Sequence, residues 1–152
     1  MLPTLDARLA AAAELVRPGE PVADIGCDHG KLTAVLAASG KYPKVIGADL
    51  RPGPLAKAEQ TLEHAGCKDR AELRLGDGLS VLTENEVDSI VLAGVSAQTT
   101  WEILEKAPWV FTVGGPRIIM IPATRHDALR RWLWEHGFSF AADRPVQAAG
   151  TR

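Results

Sequence analysis

The stretch VADIGCDHGKL, residues 22–32, runs a short apolar segment into a turn bounded by Gly26 and Gly30 and crowded with Asp24, Cys27, Asp28 and His29. The apolar segment, PVADI with the preceding Pro21, is too short for a helix between its breakers and reads as a buried strand. GKLTAVLAAS behind the turn reads as a helix closed by Gly40. The unit is therefore strand, glycine turn, helix.

The same unit recurs outward in both directions. A first helix is expected from a cap at Thr4 to about Arg17, with Leu5, Leu9, Ala12 and Val16 on one side. KVIGADL, RAELRL, VDSIVLAGV, RIIMIPA and FSFAADRPV read as further strands. Between them stand three expected helices: LAKAEQTLEHAG behind Pro52 and Pro54, WEILEKAPWVF capped by Thr99 or Thr100, and TRHDALRRWLWEHG with a capping box of Thr124 and Asp127. Repeated strand-helix units pair in parallel through right-handed crossovers, so the expected fold class is α/β, a three-layer Rossmann-like sandwich on a mostly parallel sheet.

Length and composition bound the rest. At 152 residues and 46% apolar the chain suits one domain, 1–152, with a full core. No apolar run is long enough to span a bilayer and no basic-then-apolar leader opens the chain, so a soluble cytoplasmic protein is expected, without a membrane partner. Two cysteines, Cys27 and Cys67, build neither a disulfide framework nor a four-ligand zinc site. Residues 1–116 carry 11 Lys and Arg against 16 Asp and Glu, whereas residues 117–152 carry 6 against 3. Arg117, Arg125, Arg130, Arg131, Arg144 and Arg152 either meet a phosphate backbone or form a solvated face.

In an open parallel sheet ligands sit at the carboxyl ends of the strands, beside the first strand, which is where residues 24–30 lie. Metal binding is not expected there: Cys27, Asp28 and His29 are consecutive and diverge. Nor is a pyrophosphate, because GCDHGK lacks the middle glycine of G-x-G-x-x-G and an acid, Asp24, stands in the strand. D-x-G-x-x-x-G suits a cationic, hydroxyl-rich ligand instead, which points to S-adenosyl-L-methionine. Asp49, 23 positions after Gly26, can accept both ribose hydroxyls, and Asp77 can accept from the adenine amino group with the Gly78 N–H on a ring nitrogen. Asp28 and His29 either orient a target amino group or receive its proton, or else Asp28 caps the helix and His29 packs on it. Trp132 and Trp134 lie on different sides of one helix, so one of them is expected to be exposed.

LDARLAAAAELV, VADIGCDHGKL, RLGDGLSVL, EVDSIVLAGV and ALRRWLWEHGF resemble the TrmK family, class I methyltransferases that act on N1 of adenine 22 in bacterial tRNA. The resemblance runs from about Leu5 to Phe138. It implies S-adenosyl-L-methionine as cofactor and tRNA as substrate partner. It also implies cofactor contacts at Asp24, Gly26, Asp49, Leu50, Asp77, Gly78 and Gly94, and catalytic positions at Asp28 and His29.

Three departures accompany the likeness. GVSAQ puts Ser96 and Ala97 where the family has glycines, and bulk is expected there against a target base. IPAT puts Ile121 and Ala123 or Thr124 where it has amides, and the chain stops near the sixth strand, without the seventh strand and coiled-coil domain. The alternative reading is thus a catalytically degenerate cofactor-binding domain with a protein partner. A sheet lacking its seventh strand would leave an edge to be covered by the sixth-strand segment or by a second copy in a homodimer.

Overall fold

The computed structural model of the chain describes residues 1–139. Five strands, β1 (Val22–Ile25), β2 (Val45–Asp49), β3 (Glu72–Leu75), β4 (Ser89–Ala93) and β5 (Arg117–Ile121), form one sheet in the order β3-β2-β1-β4-β5. All four pairings are parallel, with Asp24 in register with Gly47 on one side and Val91 on the other. The expected α/β architecture is present. The chain leaves β1 toward β2 and β3, then returns across the sheet to β4, so the switch point lies between β1 and β4.

Helices α1 (Ala7–Leu15), α2 (Lys31–Ser39) and α3 (Pro52–His64) cover one face, and α4 (Ala97–Glu105) with α5 (His126–Glu135) covers the other. Alternate strand residues divide between two cores. Ala23, Ile25, Ile46, Ala48, Ile90 and Leu92 pack toward α4 and α5. Val22, Val45, Val91 and Ile119 pack toward α1 and α2. With both faces covered, the central strands read as nearly continuous apolar runs. Close packing of the α1–α3 layer depends on Gly30: its φ is 76°, and a Cβ there would stand 2.8 Å from the Cβ of Ala58 on α3.

Several helix starts differ from expectation. The α1 cap is Asp6, not Thr4, because its carboxylate accepts from the Leu9 N–H at 2.8 Å. For α4 the cap is Ser96, not Thr99 or Thr100; the Ser96 hydroxyl accepts from the Thr99 N–H at 3.1 Å. That helix also ends at Glu105 instead of running to Phe111, since Pro108 opens a separate 3-10 turn over Pro108–Phe111. The expected Thr124 box at α5 does not form: the capping position is Arg125, in a left-handed conformation with no side-chain cap. GDGLSVL forms a single 3-10 turn over Gly78–Val81. Trp134 is 68% exposed while Trp132 packs on the core. The sixth strand expected over 138–146 falls, from residue 140 on, outside the described residues.

Candidate functional site

The carboxyl ends of four strands open into one cavity of about 580 Å³. Ile25, Gly26 and Asp28 come from the β1 end, Ala48, Asp49, Leu50 and Arg51 from β2, Gly76, Asp77 and Gly78 from β3, and Ala93, Gly94 and Val95 from β4. The remaining wall is α4, through Thr99, Glu102, Ile103 and Lys106.

Asp49 anchors the turns around this space. Its carboxylate accepts the Asp28 N–H on one oxygen and the Arg51 N–H on the other, each at 3.0 Å, and the Arg51 guanidinium approaches the second oxygen at 3.5 Å. The side chain lines the cavity and is 5% exposed, so both oxygens are held in place and each keeps a lone pair for a further donor. The Asp28 amide presented to Asp49 sits in the left-handed region at φ 53°. Asp28 does not cap α2: Gly30 holds the capping position without a side-chain bond, and the Asp28 carboxylate points outward between His29 and Arg51, each at 3.8 Å.

Asp24 lies one layer deeper. It is 3% exposed and absent from the cavity wall, and its carboxylate accepts the Thr33 hydroxyl at 2.8 Å. Gly47 makes that pairing fit, since a Cβ there would press on the Thr33 hydroxyl at 2.9 Å and on Leu73 at 3.0 Å. Burial, with a smaller contribution from the neighbouring Asp49 charge, pushes the Asp24 carboxyl up to about 6 against the Thr33 bond. Burial and the Asp24 and Asp49 charges push the Cys27 thiol up to about 12, so Cys27 is no thiolate nucleophile.

The structure therefore gathers Gly26, Asp28, Asp49, Leu50, Asp77, Gly78 and Gly94 around one space, puts Asp24 beneath its floor, and leaves His29 outside the wall. Ser96 and Ala97 do not line it. Ala97 is fully buried in the core and the Ser96 hydroxyl is turned back onto Thr99, because both serve the start of α4. Arg51, Thr99, Glu102, Ile103 and Lys106 were not singled out from sequence as site residues. The last four recur at i, i+3, i+4 and i+7, a helix face distinct from the Ala97, Thr100, Leu104 face that meets the core.

The wall carries four acids, Asp28, Asp49, Asp77 and Glu102, against two bases, Arg51 and Lys106. A polyphosphate would be repelled here, whereas a cationic nucleoside with free hydroxyls is matched. Leu50, 62% exposed, and Ile103 add apolar surface beside Asp77 for a flat base. Among the described residues no group of three or more His, Cys, Asp or Glu is placed to hold a metal ion, and no helix is long and apolar enough to cross a membrane.

Comparison with known proteins agrees with this geometry. A family model described as a methyltransferase domain matches residues 5–151. A Bacillus subtilis tRNA (adenine(22)-N(1))-methyltransferase is 31% identical over 135 residues, 89% of this chain and 56% of the relative. The crystal structure of Bacillus subtilis TrmK, a tRNA methyltransferase, superposes with a TM-score of 0.82 at 29% identity over 91% of this chain and 59% of that one. A Streptococcus pneumoniae protein in complex with S-adenosyl-L-methionine gives 0.83 at 31% identity over 91% and 65%. The chain spans little more than half the length of the curated relative. With five parallel strands among the described residues, an acid-lined cleft at their carboxyl ends and a family match over nearly its whole length, this chain belongs to the methyltransferase-domain family.

Proposed function

We propose that the chain is an S-adenosyl-L-methionine-dependent methyltransferase acting on N1 of an adenine in tRNA, its residues 1–152 forming one cofactor-binding domain in the cytoplasm. The observation that carries the reading is the convergence of Asp49 and Asp77, from adjacent strand ends, on one acid-lined cavity. When bound, the cofactor supplies an electrophilic methyl on a sulfonium. Asp49 accepts the ribose hydroxyls, held for the task by two backbone N–H groups. Asp77 accepts from the adenine amino group, the Gly78 N–H faces a ring nitrogen, and Leu50 covers the ring. Gly26 and Gly94 let backbone approach the methionine end, and the Asp24 charge beneath the floor favours its ammonium group.

Adenine N1 carries its own lone pair, so the protein's part in the transfer is alignment. Asp28, on the wall and exposed, orients the target amino group or takes up its proton. His29 acts through Asp28, its ring nitrogen 3.8 Å from that carboxylate. The side of β5 left unpaired among the described residues is a place for a second copy of the chain.

Calorimetry with S-adenosyl-L-methionine and methyl transfer to unmodified tRNA with nucleoside analysis test the reading. The expected result is saturable binding and label on N1 of adenine, both lost in Asp49→Ala. Binding without label on any RNA would establish the non-catalytic alternative, and NAD binding in place of S-adenosyl-L-methionine would remove the reading altogether.

A further inference from the structure

The loop between β5 and α5 is tied to the cavity wall. Ala123 donates its N–H to the Val95 carbonyl at 2.9 Å, and Gly94 donates to the Ile121 carbonyl at 3.0 Å. Two residues beyond Ala123, Arg125 is exposed and adopts φ 55°. The other non-glycine residues in that region, Asp28 and Asn85, are of the types that tolerate it; a long basic side chain is not. The Arg125 guanidinium lies 5.8 Å over the Trp101 ring of α4, and among the described residues it has no carboxylate within 4.0 Å. Along the outer face of α5, Arg131 is exposed and Trp134, one turn on, is 68% exposed. Leu129 and Leu133 of the same helix are buried, so this face points away from the core. From the end of β5 to residue 139 the chain holds three arginines, Arg125, Arg130 and Arg131, against Asp127 and Glu135, while the cavity wall holds four acids against two bases.

From this placement we infer that Arg125, Arg131 and Trp134 form a docking surface for RNA, running from the rim of the cavity along α5. Arg125, held on Trp101, meets a phosphate next to the target nucleotide. Arg131 meets a phosphate farther along, and Trp134 offers a face on which an unpaired base stacks. The segregation of charge fits this division: an acidic cavity for a cationic nucleoside beside a basic strip for a polyanion. The inference rests on the proposed RNA substrate and adds the side from which that substrate arrives.

The test compares wild-type protein with Arg125→Gly, Arg131→Gln, Trp134→Leu and, as a control, Arg117→Gln at the opposite end of β5. Glycine suits the backbone at position 125, so folding is not at risk there. Binding of unmodified tRNA is followed across a salt series, with S-adenosyl-L-methionine affinity measured alongside. Each docking arginine should weaken tRNA binding about fivefold near physiological salt and lower the salt slope by about one, with cofactor affinity unchanged. Trp134→Leu should weaken binding without changing the slope, and Arg117→Gln should leave both near wild type. Wild-type protein that methylates tRNA while the docking variants match Arg117→Gln would overturn this surface alone. Wild-type protein that binds cofactor but no RNA would overturn the substrate reading and the surface with it.

Discussion

Replacing Asp24 by Asn should make the protein more stable while emptying its cofactor site. In the folded chain the Asp24 carboxyl rises from 3.8 to about 6, chiefly because it is buried. A folded value above the unfolded one means that the native state holds the proton more tightly. The stability conferred is therefore fully present below pH 3.8 and is lost as pH rises to about 6. At about 1.4 kcal/mol per pH unit, keeping this group ionised at neutral pH costs about 3 kcal/mol. Asn keeps an oxygen for the Thr33 hydroxyl and carries no charge. Denaturant unfolding followed by circular dichroism should find Asp24→Asn more stable than wild type by about 2–3 kcal/mol above pH 7, the gap closing toward pH 4. Calorimetry on the same samples should show S-adenosyl-L-methionine affinity down at least about tenfold, the usual pattern where a binding site holds an unfavourable charge. A variant no more stable than wild type at neutral pH, or a gap that does not change with pH, would refute the reasoning.

Gly30→Ala combines a left-handed backbone with a Cβ 2.8 Å from that of Ala58, and should cost about 2–4 kcal/mol in unfolding experiments. Ser96→Ala removes the α4 cap and should cost about 1 kcal/mol while leaving cofactor affinity near wild type, since the side chain faces away from the cavity. Glu86 takes a two-point bond from Arg74, at 2.8 and 2.6 Å, and another from Lys44 at 2.9 Å, which together hold its carboxyl well below the usual range. A depressed carboxylate stabilises above its unfolded value of 4.5 and loses that effect as pH falls below it. Glu86→Gln should therefore cost about 1.5–3 kcal/mol at pH 7, with thermal melts of the two proteins converging in acid.

Strand and helix alternation was legible because both sheet faces are covered: the central strands had to be apolar throughout, and each is short and bounded by Gly, Pro or a charged turn. Asp49, Asp77, Gly26 and Gly78, which line the cavity, were legible because they fall at strand ends, where a parallel sheet opens, and Gly94 through the family resemblance. Helix starts were less so. Where several hydroxyls and acids crowd one turn, as at Thr4 and Asp6 or at Ser96, Thr99 and Thr100, the cap is decided by which side chain reaches a free N–H, and tertiary packing sets that. Asp24 was legible as an acid inside the strand, but its bond to the Thr33 hydroxyl was not, because that partner lies on the following helix and is brought alongside only by the fold. The α4 wall escaped notice because its spacing matches an ordinary solvent face until the fold brings Asp77 and Gly78 alongside.

The two margins of the sheet differ in what they offer a newcomer. Along β3, Glu72 and Arg74 bond to one another and Arg74 continues to Glu86 and the Val81 carbonyl, so an approaching strand would have to displace charges already engaged. Among the described residues β5 pairs only with β4, and Ile118, Ile119, Met120 and Ile121 pack into the two cores, which leaves Arg117 as its one charge. A strand approaching the described sheet would therefore meet fewer engaged charges beside β5 than beside β3.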